Sequence, residues 1–436
     1  MNNEVVLLVY TTEYKKGGDK FRRVAKTLAK DKSIESNKII VEAIESKKAL
    51  IDLFNQIAAE GDEIEEFHFI GHSGMYGPMF GTVQFPEQFS PFEIKNLKIP
   101  FSENGKAFFR CCRSARWVAP YFAQQHKIKT FGYHWYTSFS TDPNYYKPDF
   151  SKNEDKPLYC FGCKGRKSHG YITSIKKWAG FVKAEKLKEF NAIQESIDRK
   201  YNKVADLYND VFTDISVRKD ELKWIKNSLN DFPDKVKVLD IGCGNGALLR
   251  NLSGRINEGV GVDISESLIN LAKKSSEDYE NLHFSKIDGP FLPFEDNSFD
   301  AVVSLLSFRY LDWDPILQET ERILKKDGKL IIVDMVTKPL SFSEYPKFII
   351  SKIKAIQQQI ENPNYFKKLK KLVSDPNWKE MLKYNPIRAE HEMKWYLESR
   401  FPGREVKVIN YGFHARILAF ESGNMKNLKK VNLQYP

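Results

Sequence analysis

The sequence predicts an α/β protein built as two three-layer α/β/α domains, and three observations lead there. The chain has 436 residues, which is too long for one ordinary core. Strand-like and helix-like runs alternate in two separate series, one over residues 1–175 and one from Val236 onward. That order is the pattern of mostly parallel sheets covered by helices on both faces. A glycine-rich turn, "VKVLDIGCGNG" (Val236 to Gly246), opens the second series between a strand and a helix. The two series do not resemble each other.

The first series begins with "VVLLVY", an apolar run of the length of a buried strand. "DKFRRVAKTLAK" follows with Phe21, Val24, Ala25 and Leu28 on one helical face. "KIIVEAI" reads as a strand and "SKKALIDLFNQIAAEG" as a helix, with Ser46 at its N-cap and Gly61 closing it. "IEEFHFIG" and "KAFFRCC" are two further strands. From Ser174 to Leu229 the pattern turns helical and charged. The expected division is therefore a domain over 1–175, a helical connector over 176–229 and a second domain over 230–436.

Composition narrows the classes. At 42% hydrophobic and 13% aromatic residues the chain has a folding composition. A net charge of +11 is compatible with nucleic acid or anionic lipid, but lysine-rich surfaces more commonly serve solubility. A small-molecule or peptide partner is the expectation, nucleic acid the less favoured one, and the oligomeric state is left open. No apolar run reaches the length of a transmembrane span. The start, "MNNEVVLLVYTTEY", lacks the features of a signal peptide. Five cysteines make no disulfide framework, so a cytoplasmic setting is expected.

In the second series Gly242, Gly244 and Gly246 let the backbone bend and approach a ligand closely. The spacing differs from the dinucleotide fingerprint, and Asp240 stands two residues before the first glycine. "GVGVDIS" ends the next strand on Asp263, where a carboxylate can accept both hydroxyls of a ribose. Asp288 closes a third strand, "FDAVVS" is a fourth, and "KLIIVDM" a fifth. These elements, in this order, resemble the class I S-adenosylmethionine-dependent methyltransferases, in particular the quinone-biosynthesis group. The resemblance implies a Rossmann-like seven-stranded methyltransferase sheet with S-adenosyl-L-methionine as cofactor. It implies that Gly242, Gly244 and Gly246 lie beneath the methionine moiety, that Asp263 holds the ribose and that Asp288 binds the adenine amine. Asp240 matches the acid that begins the motif, and Tyr201 and Tyr208 in "RKYNKVADLYNDVF" match tyrosines that cap the pocket.

The same resemblance places the acceptor beyond the fourth strand, at "SLLSFRYLDWD", where Phe308, Arg309 and Tyr310 either shape or charge the pocket or belong to a helix-capping core. It makes residues 341–396, rich in lysine, a helical lid over the substrate, read either as a contact for nucleic acid or an anionic acceptor, or as a solvated amphipathic lid. His414, in "GFHAR", is a candidate to point into the site or a packed structural histidine. The fold serves carbon, nitrogen, oxygen and sulfur acceptors alike.

In the first series, "FHFIGHSGMYG" runs a strand into a tight turn. A hydrolase elbow needs Gly-x-Ser-x-Gly followed directly by a helix. Here Met75 occupies the fifth position and "YGPMFGTVQFPEQFS" lacks helical spacing, so Ser73 does not fit. His72 and Cys112, at the ends of neighbouring parallel strands, could instead meet as base and thiolate. This layout resembles the caspase-like cysteine peptidases over roughly the first 135 residues. The resemblance implies a caspase-like sheet with a His72–Cys112 dyad, with Cys111 the alternative thiol; a silent scaffold that recognises a partner or acceptor fits the same outline. Cys160 and Cys163, with His169 nearby, supply too few ligands for structural zinc and are expected to be reduced thiols. No metal is expected.

Overall fold

The computed structural model describes residues 3–32, 38–150, 156–165, 169–192, 201–232, 234–385 and 387–435. The chain divides into two compact units: Met1–Ser196 with Asn432–Gln434, and Ile197–Val431 with Tyr435–Pro436.

Unit 1 contains β1 (Glu4–Thr11), α1 (Gly18–Lys32), β2 (Ile39–Ile44), α2 (Lys47–Ala59) and β3 (Glu63–Ile70). A small antiparallel sheet of β4 (Ser73–Gly74), β5 (Gly77–Gly81) and β6 (Pro86–Gln88) follows. Then come α3 (Pro91–Asn96), β7 (Phe101–Arg110), α4 (Val118–His126), β8 (Lys129–Gly132), β9 (Thr137–Ser140), β10 (Tyr159–Gly162), α5 (Tyr171–Trp178) and β11 (Lys188–Phe190). The main sheet runs β11-β8-β7-β3-β1-β2. It is parallel throughout except for β11, which pairs antiparallel with β8. Residues 5–9 of β1 are buried without alternation, as a strand covered on both faces must be. Ser46 accepts from Ala49 N at 3.1 Å and starts α2, and Gly61, at φ +76°, ends it.

The boundary expected at residue 175 moves to 196, because α5 and β11 belong to unit 1 rather than to a connector. A strand of three residues is too short to register as hydrophobic alternation; β11 exists because β8 offers it an edge.

Unit 2 contains α6 (Ala205–Phe212), α7 (Lys219–Leu229), β12 (Val236–Ile241), α8 (Ala247–Leu252), β13 (Ile256–Asp263), α9 (Glu266–Ser275) and β14 (Leu282–Lys286). They are followed by β15 (Phe299–Leu305), α10 (Trp313–Ile323), β16 (Leu324–Thr337), α11 (Tyr345–Glu361), α12 (Pro363–Ser374) and α13 (Pro376–Tyr384). The last elements are α14 (Glu390–Arg400), β17 (Lys407–Tyr411) and β18 (Ala415–Glu421). The seven strands take the order β14-β13-β12-β15-β16-β18-β17, with β18 antiparallel. One face of the sheet packs on α10 and α14 through Ile316, Leu317, Met393 and Leu397. The other packs on α7, α8 and α9 through Ile225, Leu249 and Ile269. This is the three-layer Rossmann-like arrangement, and order reverses beside β12, where open α/β sheets bind ligands.

Unit 1 also carries a buried ion pair that tests its packing. Lys47, fully buried at the start of α2, places Nζ 2.6 Å from Glu93 Oε1 on α3. Removing one member of such a pair strands the other charge, which costs about 3–5 kcal/mol, whereas an apolar replacement of both is close to neutral. Lys47→Ala is therefore expected to lower the urea midpoint of the unit 1 transition, and Lys47→Met with Glu93→Leu to recover most of it.

Candidate functional site

The site in unit 2 starts from the turn after β12. Gly242 N and Cys243 N both donate to Val262 O, at 2.8 and 3.1 Å, which folds the chain back onto β13. Gly242 and Gly244 have φ of +76° and +56°, a region that L side chains enter only with strain. A Cβ on Gly242 would lie 2.4 Å from the Ser307 Cβ, and one on Gly244 3.1 Å from the Tyr208 hydroxyl. Glycine is required by both the dihedrals and the space. Gly246, also at positive φ, turns the chain into α8.

Two acids converge on this turn. Asp263 accepts from Gly244 N at 3.0 Å and from Ser265 N at 2.8 Å. Burial raises its pKa, against the backbone N–H groups that lower it. Asp240 is 2% exposed, and its Oδ1 has no hydrogen-bond partner. Burial, with the Asp263 charge adding to it, pushes its pKa up to about 8. A buried carboxyl with an unused oxygen beside a glycine cradle suits a ligand that brings a cation or donor. The residues present thus fit the aminoacyl end of S-adenosylmethionine. Asp288, just past β14, is exposed and pairs with Lys286 at 3.4 Å, and Ile287 N beside it donates to Asp263 O at 3.0 Å.

Residues 201–212 cover the turn. Asn209 Oδ1 accepts from Asn245 Nδ2 at 2.8 Å, and Asn202 Oδ1 from Ser265 Oγ at 2.7 Å. These bonds hold Tyr208 above Gly244. Its ring meets Tyr201 edge-on at 5.5 Å, and Tyr201 meets Trp378 of α13 at 5.8 Å and Tyr310 at 6.5 Å. Burial raises the pKa of both Tyr201 and Tyr208, so each stays a neutral phenol. Trp378 and the asparagines were not singled out by the sequence; an aromatic residue in the lid segment was the only available signal for the first.

A family described as a methyltransferase domain matches residues 239–332, from β12 through most of β16. The C-terminal half of this chain carries a methyltransferase domain. S-adenosylmethionine is the donor that goes with it. The demethylmenaquinone methyltransferase of Staphylococcus haemolyticus is 31% identical over 152 residues, which are 34% of this chain and 63% of that protein. The chain thus spans less than two thirds of that relative's length. The demethylmenaquinone methyltransferase of Staphylococcus aureus is 26% identical over 242 residues, 54% of this chain and 97% of that protein. Among solved structures, an S-adenosylmethionine-dependent methyltransferase from Aquifex aeolicus is 19% identical, with a TM-score of 0.33, covering 50% of this chain and 98% of that one.

On the acceptor side of the methyltransferase domain the structure separates the three expected residues. Phe308 is core, 1% exposed and stacked on Trp313 at 5.6 Å. Arg309 does not charge the pocket: its guanidinium is bound to Asp334 of β16, and its backbone N donates to the same carboxylate at 2.6 Å. Tyr310 alone joins the aromatic group above the turn. His414 is exposed on the turn between β17 and β18, with β15 and β16 standing between β18 and β12; its ring meets Phe413 edge-on at 4.6 Å, and its carbonyl accepts from Lys338 N at 3.1 Å. It does not reach the site.

In unit 1 the parallel pairing of Ile70 with Arg110 brings the turns bearing His72 and Cys112 to the same sheet edge. The Ser73 hydroxyl donates to Cys112 O and ties the two turns together, a structural use of that side chain. His72 Nε2 donates to Lys16 O at 3.1 Å, and its ring packs edge-on against Phe21 and Tyr14. Burial lowers its pKa, so the imidazole is neutral. Cys112 Sγ lies 3.2 Å from Thr137 Oγ1 and receives Thr137 N at 3.4 Å. The imidazole and the thiol therefore share an edge, each bonded to another group. Cys111 is fully buried, which raises its pKa strongly, while Cys112 is partly exposed. Cys160 Sγ points at Arg110 O and Cys163 Sγ at Ser138 Oγ, while His169 Nδ1 accepts from Gly165 N. Among the described residues no three ligating side chains group to hold a metal.

The same sheet holds a polar chain that the sequence did not announce. His68 Nε2 contacts Glu66 Oε2 at 2.9 Å, and Arg110 Nε donates to His68 Nδ1 at 3.3 Å. Burial holds His68 near a pKa of about 4. Burial alone would raise Glu66, but His68 and Lys32 bring it down to about 2.

The two cysteines predict a labelling experiment. Iodoacetamide is expected to modify Cys112 in the native chain and to leave Cys111 unmodified, as read by peptide mass spectrometry. Labelling that persists in Cys112→Ala would contradict this.

Proposed function

We propose that the C-terminal half transfers a methyl group from S-adenosylmethionine to a small aromatic acceptor. The observation that carries this reading is the glycine turn flanked by Asp263, bonded to Gly244 N, and by Asp240, whose Oδ1 is unused. The aromatic group of Tyr201, Tyr208, Tyr310 and Trp378 supports a flat acceptor, because rings favour edge and face contacts with rings. The relatives named as demethylmenaquinone methyltransferases support a small-molecule acceptor.

When bound, the cofactor supplies an electrophilic methyl group on a sulfonium. The chain's part is positioning: an in-line displacement gains most of its rate from orientation and exclusion of water. In this reading Asp263 and the glycine turn hold the donor end, Asp288 serves the adenine, and residues 201–212 close over the turn. Tyr201, kept a neutral phenol by burial, can hold an acceptor hydroxyl by hydrogen bond, with Tyr310 beside it. For the N-terminal half, the proposal is recognition of the acceptor or of a partner on the caspase-like sheet, with His72 and Cys112 at its working edge.

Cell extract incubated with the protein and methyl-labelled S-adenosylmethionine should yield a labelled small aromatic species by mass spectrometry. Asp263→Ala should abolish the product and weaken calorimetric cofactor binding by at least about tenfold, the loss of charge-assisted hydrogen bonds. Labelled polypeptide or nucleic acid instead would overturn the acceptor class, and absence of cofactor binding would overturn the reading as a whole.

A further inference from the structure

Helix α11 presents the reverse of the pattern expected at a protein surface. Its inward side carries one ring, partly buried Phe348, and is otherwise small and polar: Ser351 Oγ accepts from Tyr411 N at 3.2 Å, Ala355 is partly buried, and Gln358 Nε2 donates to Val217 O at 3.1 Å. Its outward side carries Ile349, Ile350, Ile353, Ile356 and Ile360, exposed by 55, 59, 61, 47 and 76%. Their spacing makes one continuous helical stripe. Phe342, 93% exposed and stacked on Tyr345, extends the stripe at one end, and exposed Phe413 adjoins it through Phe348 at 6.2 Å. Apolar surface of this extent in one place marks a contact.

Charge identifies what it contacts. From Tyr345 to Ser374 there are seven lysines and a single acid, Glu361, which is already paired with Lys219 at 2.9 Å. A second copy of this chain, related by a twofold axis, would bring two such lysine-rich surfaces together with almost no acid to answer them. Lys354 of α11 is paired with Asp220 at 3.2 Å, and an anionic bilayer answers the other lysines. Among the described residues no helix is long and apolar enough to cross a membrane. A helix that is apolar along one stripe and basic beside it lies in the interface plane.

We propose that α11 is an interfacial helix that docks this unit on an anionic lipid surface, with the isoleucine stripe at the head-group boundary and the lysines of α11 and α12 on the phosphates. This does not depend on the acceptor proposed above. The geometry does place both on one segment, since α12 and α13 cover Tyr201 and α11 leads directly into them.

The test is sedimentation of the full chain with vesicles of phosphatidylcholine, with and without phosphatidylglycerol, at low salt. The chain is expected to sediment with the anionic vesicles and far less with neutral ones. Ile349→Ser with Ile353→Ser should lower the partition coefficient by at least about tenfold. Lys352→Gln with Lys368→Gln should lower it by about fivefold per lysine. These side chains are exposed, so both variants should bind S-adenosylmethionine like the parent chain, which separates failure of the stripe from failure of the donor site. Three results would overturn the proposal: no sedimentation with anionic vesicles, sedimentation unchanged by the isoleucine pair, or a dimer in light scattering that the isoleucine pair breaks while vesicle binding is absent.

Discussion

A carboxyl group with one unused oxygen lies at the end of β12, in the interior of the methyltransferase unit, and much of the site is arranged around it. Burying Asp240 without a partner is costly, and the group meets that cost by holding its proton to about pH 8. A packed core has no reason to retain such a group, since a leucine there would bury more apolar surface at no polar expense. Its retention makes sense only with the turn that follows it. The turn bends sharply because its glycines adopt left-handed dihedrals. Asp263 then stitches the turn to β13, and Tyr208 closes it from above.

How much of this was legible in the sequence depended on whether the signal was local. The strands β1, β3, β12 and β15 announced themselves as apolar runs, and the glycine turn, with acids at fixed distances, announced a nucleotide-type site. Tyr208 was singled out by its place in a recognisable helix, and it lies over Gly244. Arg309 was misread because its partner Asp334 stands 25 residues later on the neighbouring strand; no local pattern reveals that a cation is already neutralised. His414 was misread because a hairpin turn can face the sheet's open edge or solvent, and β16 and β18 pair so as to leave it in solvent. The segment 341–396 was legible as helical and basic, but periodicity shows that a stripe exists, not which side of it meets the core.

The N-terminal unit shows the same boundary between local and tertiary information. The parallel pairing of the strands that lead to His72 and Cys112, and the nearness of those two turns, followed from alternation and chain order. The partners of those groups, Lys16 O and Thr137, come from other loops and could not be read from either motif. Ser73, which resembles a nucleophile in isolation, is a brace between two turns. The Glu66–His68–Arg110 chain was hidden for a similar reason: its members stand on two strands and meet only through the register of β3 against β7.

The most direct test of the central claim is calorimetric titration with S-adenosylmethionine across pH, in buffers of different ionisation heat. A free-chain pKa of about 8 means that Asp240 is mostly protonated at neutral pH. In the ligand-free fold this raised pKa contributes stability at low pH that is lost as pH rises through about 8. A cationic ligand favours the charged carboxylate, so binding below about pH 8 must release a proton, and affinity must rise with pH until it levels off there. The account predicts a buffer-dependent heat at neutral pH that disappears in Asp240→Asn. Heats independent of buffer, or the same pH dependence in Asp240→Asn, would contradict it.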